Sequence, residues 1–95
     1  MELLTASNTT AKYAQAKTIA TIFNYKDCSH LLKRFREFAD DNPKYFHPYH
    51  PYIKNKGIST MYSIICFAHF LENMDLVEAG RGNFKEDLPR LKEVY

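Results

Sequence analysis

The sequence predicts a mainly α, compact domain of three to four helices, on the basis of three observations. Apolar residues recur at spacings of three and four in two stretches before residue 40, Asn24 and Pro43 interrupt those stretches, and a third apolar stretch follows residue 59. The chain has 95 residues, 45% of them hydrophobic, which is enough for one core and too few for two. A single domain over residues 1–95 is therefore expected.

The first helical stretch follows residues 8–10, Asn-Thr-Thr, which are types that cap helix N-termini. From Ala11 to Phe23 apolar side chains fall on one face, predicting either one amphipathic helix or a shorter helix that breaks before Lys17. Asn24 is expected to end it, because asparagine adopts the left-handed conformation more readily than other non-glycine residues.

A second helix is predicted to begin at Asp27, whose carboxylate suits an N-cap. It ends at the run Asp40-Asp41-Asn42-Pro43, where the proline disfavours helical geometry in the residue before it. Its apolar face consists of Leu31, Leu32, Phe35, Phe38 and Ala39. Residues 11–39 thus form two helices joined by a tight turn.

Residues 43–57 form a loop rich in tyrosine, histidine and proline. This loop either stays irregular or forms a short β-hairpin wing turning at Lys54-Asn55-Lys56-Gly57. Its aromatic rings either cover the core, which we favour, or stack on unpaired bases.

A long core helix is predicted over residues 59–74, capped by Ser59 or Thr60. Its apolar arc is too wide for a lone surface helix, so it is either central or shared with a partner, and His69 is placed at its edge. The charged tail, 80–95, is expected to hold a last short helix broken near Pro89.

Positive charge is concentrated in the first part of the chain. Residues 1–57 hold nine lysines and arginines against five acidic residues, whereas residues 58–95 hold four against six. Any basic surface for a polyanion therefore belongs to the first part.

The segment from Thr18 to Phe35 resembles the helix-turn-helix of bacterial regulators, with the small Ala20 where the two helices approach and Asn24 where that motif usually has glycine. Residues 11–38 are similar to small DNA-binding proteins of Gram-positive phages and mobile elements, including excisionase-like and winged-helix proteins. The resemblance covers about a third of the chain and implies a regulator or recombination factor that binds double-stranded DNA. The second helix departs from the usual register, with His30 and Lys33 at positions that are apolar in the motif.

Two groups of residues are candidates for DNA contact. A recognition helix must present short polar and cationic side chains to base edges, and these candidates are Lys26, Ser29, His30 and Lys33. Cations that hold the phosphate backbone would position the protein without reading sequence, and these candidates are Arg34, Arg36, Lys54 and Lys56. The alternative is an ordinary amphipathic helix with a solvated basic face. A homodimer is compatible with DNA binding, because one short helix reads few base pairs, and also with a protein-binding function in which the apolar 61–74 helix pairs with itself.

The alternative function is a small protein-binding module, such as a phage-encoded inhibitor or adaptor of a host or phage protein. It would act through the apolar 61–74 helix, with interface candidates Met61, Phe67, Phe70 and Met74. In this hypothesis the two helices before residue 40 would be scaffold.

Other classes are disfavoured by what the sequence lacks. No nucleophile stands beside a base, and three glycines form no phosphate-binding loop, so we expect neither an enzyme nor a cofactor. Cys28, His30, His47 and His50 lack the spacing of a zinc site, so no metal is expected. The distant Cys28 and Cys66 indicate reduced thiols, and the absence of a signal peptide or a long apolar run predicts a cytoplasmic protein without membrane association.

Overall fold

A computed structural model describes residues 13–54, 57 and 59–95. The first part contains strand β1 (Tyr13–Gln15), helix α1 (Ala16–Ile22) and helix α2 (Ser29–Asp41). Strands β2 (Tyr52–Ile53) and β3 (Met61–Ser63) follow, and then helices α3 (Ile64–Glu72), α4 (Met74–Glu78) and α5 (Phe84–Val94). The predicted mainly α domain with a short β-hairpin is confirmed.

The first helix starts later than its apolar spacing predicts, because residues 13–15 form a strand. Tyr13 pairs with Ser63 and Gln15 with Met61 in an antiparallel ladder, and Ala14 between them is buried. Strand pairing with a distant segment overrides the local helical pattern here. The predicted cap at residues 8–10 and the start of the helix at residues 11–12 lie outside the described residues.

The three strands form one small antiparallel sheet in the order β1-β3-β2. Strands β2 and β3 are the arms of the expected hairpin, with Tyr52 opposite Tyr62 and Ile53 opposite Met61. The connection between them runs from residue 54 to residue 60, so it is longer than the predicted turn at 54–57. Along the chain, helices α1 and α2 thus lie between β1 and the hairpin, and the sheet brings β1 and β3 side by side.

The predicted 59–74 helix is shorter at its start and divided near its end. Residues 61–63 belong to β3, so α3 begins at Ile64, and Ser63, not Ser59 or Thr60, caps it by accepting the amide N–H of Cys66 at 3.3 Å. The helix ends at Glu72, and Asn73 separates it from α4. All residues from 65 to 70 are buried, so the expected wide apolar arc reflects a central position in the core.

Aromatic rings from three parts of the chain form the centre of that core. Phe35 on α2 packs against Phe67 and Phe70 of α3, with ring centroids 5.4 and 5.6 Å apart. Phe46, from the loop between α2 and β2, lies 5.6 Å from Phe35 and is 1% exposed. The loop therefore contributes aromatic side chains to the core, which is the role that the sequence favours for them.

The last helix is not broken at Pro89, which lies within α5. A proline at this position removes one backbone hydrogen bond and normally costs about 3 kcal/mol. Contacts before and after Pro89 hold the helix: Phe84 and Leu91 are buried, and Arg90 and Tyr95 both bond to Glu72 of α3. Packing against α3 therefore outweighs the local signal.

Candidate nucleic-acid interface

The turn between α1 and α2 has the geometry predicted for Asn24. This residue has φ 62°, and the N–H of Tyr25 donates to the carbonyl of Ala20 at 2.8 Å while the N–H of Asn24 donates to that of Thr21 at 3.2 Å. This pair of bonds is a Schellman motif, in which a left-handed residue closes the end of a helix. The local sequence thus ends α1 sharply and sends the chain into α2.

The N-terminus of α2 is organised by Asp27, two residues before the helix. Its Oδ1 accepts the backbone N–H of Ser29 at 2.9 Å and also the Ser29 hydroxyl. These hydrogen bonds lower the pKa of Asp27. Cys28 is the N-cap residue and is buried. In the first turn of the helix Ser29 and His30 are exposed, whereas Leu31 is half-buried and Leu32 is buried.

All four base-contact candidates are exposed: Lys26, Ser29, His30 and Lys33. They surround the first turn of α2, and the acidic residues of the helix lie beyond them, at Glu37, Asp40 and Asp41. A helix is normally stabilised by acidic residues near its N-terminus and basic ones near its C-terminus. Asp27, just before α2, follows this order, whereas Lys33 near the start of the helix and Asp40 and Asp41 near its end reverse it. Helix stability therefore does not explain the placement of Lys33, Asp40 and Asp41.

Arg34, a phosphate-contact candidate, is paired within the chain. Its Nη2 and Nε donate to the two carboxylate oxygens of Glu78 on α4, at 2.5 and 3.2 Å. The two side chains are 51% and 36% exposed. A bidentate pair of this kind links α2 to α4 and neutralises much of the charge that a phosphate would meet.

Arg36, a second phosphate-contact candidate, is half-buried and faces the sheet. Its Nη1 donates to the hydroxyl oxygen of Tyr62 on β3 at 2.6 Å, and its guanidinium carbon lies 6.0 Å from the centre of that ring. Its guanidinium is therefore engaged inside the fold.

The two phosphate-contact candidates in the hairpin are Lys54 and Lys56, of which Lys54 belongs to the described residues. Lys54 follows β2 directly and is exposed. Lys56 lies outside the described residues. Tyr52, two residues before Lys54, donates its hydroxyl to Asp40 of α2 at 2.7 Å, which fastens the base of the hairpin to α2.

The partner interface suggested for the 61–74 segment needs correction. Phe67 and Phe70 are fully buried against Phe35, and Met61 and Met74 are half-buried. Phe67 and Phe70 are therefore covered by the protein's own core and offer no surface to a partner, whereas Met61 and Met74 remain partly exposed.

The sequence interpretation missed a hydrogen-bonded chain centred on His69. This residue is 2% exposed, and its Nε2 lies 2.8 Å from the hydroxyl of Tyr45 and its Nδ1 2.9 Å from Oδ2 of Asp87. The imidazole tautomer with a proton on Nδ1 donates to Asp87 and accepts from Tyr45. Arg90 also donates to Asp87 at 2.8 Å, and this bond is the main reason that the pKa of Asp87 is lowered.

The hydrogen bonds that run from Tyr45 through His69 to Asp87 connect three parts of the fold: helix α3, helix α5 and the loop that precedes β2. Its signal in the sequence is a histidine inside the apolar run Ile64–Leu71, since a buried imidazole requires polar partners.

The described residues contain no cluster of three or more His, Cys, Asp or Glu side chains suited to a metal ion. Cys28 and Cys66 are both free and buried. Burial raises the pKa of the Cys66 thiol to about 12, and desolvation also raises that of Cys28, although Cys28 caps a helix N-terminus. Neither thiol is activated as a nucleophile.

No helix in the described part of the chain is both long enough and apolar enough to cross a bilayer. Comparison with protein-family models, with curated proteins and with solved structures finds no match. The interface is therefore interpreted from its own geometry.

Proposed function

We propose that this chain binds double-stranded DNA, with the first turn of α2 in the major groove and the β2–β3 hairpin beside it on the phosphate backbone. The observation that carries the proposal is the pair of exposed polar residues in the first turn of α2, Ser29 and His30, flanked by the exposed Lys26 and Lys33 and presented by the tight turn at Asn24. In helix-turn-helix proteins the N-terminal residues of the second helix reach the base edges.

The charge order along α2 supports insertion of its N-terminal end. Lys26 and Lys33 flank the first turn, whereas Glu37 and Asp41 would meet phosphates if the helix lay flat along the groove. Attraction at one end and repulsion at the other would tilt the N-terminus toward the DNA. Ser29 and His30 would then face base edges, with the lysines at the flanking phosphates.

The resemblance to phage and mobile-element proteins suggests the biological role of such a binder. We propose a regulator of transcription or an excisionase-like factor. A single helix reads few base pairs, so a second copy on an adjacent half-site would supply the remaining specificity.

The proposal is tested by the double variant Lys26→Ala/Lys33→Ala. Loss of two phosphate-proximal cations should weaken duplex binding at least about tenfold near 50 mM salt and reduce the slope of log K against log salt by about 2. The matched control is Lys85→Ala/Lys92→Ala, which removes two exposed lysines of α5 and changes the net charge equally. Equal effects of the two double variants would contradict a site on α2.

A further inference from the structure

Arg36 and Asp40 lie one helical turn apart on α2 and bond to two tyrosines of the sheet. Arg36 donates to the hydroxyl oxygen of Tyr62 at 2.6 Å, and Asp40 accepts the hydroxyl of Tyr52 at 2.7 Å. Both bonds cross from the helix to the hairpin. The bond to Asp40 is the main reason that the pKa of Tyr52 is raised.

The two tyrosines are themselves a cross-strand pair. Tyr52 on β2 stands directly opposite Tyr62 on β3, with ring centroids 6.3 Å apart. One turn of α2 therefore holds both arms of the hairpin at the same level of the sheet. Two such bonds fix the orientation of the hairpin relative to α2, whereas a single bond would allow the hairpin to rotate about it.

We propose that Arg36 and Asp40 are positioning residues for the hairpin, acting on DNA binding through Tyr62 and Tyr52 and not by contact with phosphate. The inference rests on the proposed function. Lys54 follows Ile53 of β2 directly, so the angle between α2 and the hairpin sets where its ammonium group lies relative to the first turn of α2. This role accounts for an acidic residue on the proposed DNA-binding helix, because Asp40 holds the hairpin through Tyr52.

The variant Tyr62→Phe separates the two roles of Arg36, because it removes only the hydroxyl and leaves every charge in place. If Arg36 positions the hairpin, duplex affinity should fall about three- to tenfold, the range expected for the loss of one ordinary hydrogen bond. If Arg36 contacts phosphate directly, Tyr62→Phe frees the guanidinium, and affinity should be unchanged or tighter. The matched control is Tyr49→Phe, since the hydroxyl of Tyr49 makes no hydrogen bond within the described part of the chain.

Coupling to Lys54 gives a second readout that a general loss of stability would not reproduce. Lys54→Ala should weaken duplex binding in the wild-type background and have a smaller effect in the Tyr62→Phe background, because the hairpin is already displaced. Additive effects would overturn the positioning role. Tyr52→Phe, on a half-exposed tyrosine, should show the same coupling and serves if Tyr62→Phe does not fold.

Amide hydrogen exchange measured without DNA distinguishes failure of this inference from failure of the proposed function. Arg36→Met should speed exchange of the hairpin amides of residues 53 and 61–63, with α5 unaffected. If Arg36→Met speeds exchange of the hairpin amides while the wild-type protein binds no DNA, the positioning role is retained and the DNA-binding proposal is rejected. Unchanged exchange would reject the positioning role even if wild-type protein binds DNA.

Discussion

Asn24 shows how one backbone conformation divides the two helices of the motif. Its φ of 62° lies in the left-handed region, which costs a typical L-residue about 1–2 kcal/mol and asparagine less. We expect Asn24→Ala to lower the free energy of unfolding by about 1 kcal/mol and Asn24→Gly to change it by about 0.5 kcal/mol or less. Urea unfolding of the three proteins measures both differences, and equal values for alanine and glycine would contradict this account of the turn.

Gly82 is required for a different reason, namely space. A Cβ there would lie 2.8 Å from Cγ2 and 3.2 Å from Cα of Val77 and would also clash with the hydroxyl of Tyr45. Gly82→Ala should therefore destabilise the fold by about 1–3 kcal/mol, the usual cost of overpacking.

Gly80 provides the comparison for this prediction. Gly80 has φ +79°, and no atom lies within 4 Å of the position that a Cβ would occupy. Gly80→Ala should therefore lower the free energy of unfolding only by the cost of a left-handed backbone, about 1–2 kcal/mol. The two glycines are also separable by their effect on His69. Only Gly82→Ala should shift its imidazole NMR signals, through Tyr45, and identical spectra for the two variants would contradict the proposed contact.

Residues with local roles could be predicted from the sequence, and residues with distant partners could not. The turn at Asn24 follows from an intrinsic backbone preference. The partners of His69 lie 24 and 18 residues away, at Tyr45 and Asp87, and those of Arg36 and Arg34 lie 26 and 44 residues away. No local pattern reports such pairings, so both arginines were predicted to face DNA.

At the scale of elements, α2 carries Lys33 near its start and acidic residues nearer its end. Glu37 is exposed on the same helix as Lys33, one turn further from the N-terminus. We expect Glu37→Gln to tighten duplex binding about two- to fivefold near 50 mM salt, because it removes a charge that repels phosphate.

The control for that variant is Glu93→Gln, which removes an exposed carboxylate on α5 with the same change in net charge. Gel-shift titrations on one duplex measure both variants. An equal gain from Glu93→Gln would mean that net charge, and not the surface of α2, governs affinity.

The contact between α3 and α5 depends on the ionised form of Asp87. The folded state lowers the pKa of this carboxyl below its ordinary 3.8, chiefly through Arg90 and with a further bond from His69. Its stabilising contribution is therefore complete above that value and is lost as the pH falls through the lowered pKa.

Asp87→Asn should consequently reduce the free energy of unfolding at pH 7 by about 1–3 kcal/mol and flatten its decline below about pH 4. Urea unfolding between about pH 7 and pH 3 measures the profile. Asp75→Asn is the control, since the Asp75 side chain is exposed and makes no hydrogen bond or ion pair within the described residues. A profile for Asp87→Asn that runs parallel to wild type would refute this role of the carboxylate.

The boundaries of helices and strands could likewise be predicted where local residues set them, and could not where pairing with a distant segment sets them. The limits of α2 were predicted to within two residues, because Asp27 and Pro43 lie close to its ends. The N-cap is Cys28, not the predicted Asp27, whose carboxylate instead accepts the N–H of Ser29, and the helix ends at Asp41. Strands β1 and β3 were assigned to helices, since three residues of strand pair only with distant segments and leave a helical spacing of apolar side chains undisturbed. The hairpin itself was anticipated from its turn residues, although its loop is longer than expected.

At the scale of the whole molecule, one core joins two parts of the chain that differ in charge. The buried helix α3 packs against α2, from the cationic residues 1–57, and against α5, from the more acidic residues 58–95. The net charge of +2 is small for a DNA-binding protein, so the proposed function requires that the attraction come from the local surface around the first turn of α2.

The most direct test is the binding of the wild-type chain to random duplex DNA at about 50 mM and about 200 mM salt. Release of counterions from three to four phosphate contacts predicts binding at the lower salt that weakens about 40- to 150-fold at the higher salt. Absence of binding at about 50 mM salt, or binding that does not change with salt, would contradict the proposal that α2 is a DNA-binding helix.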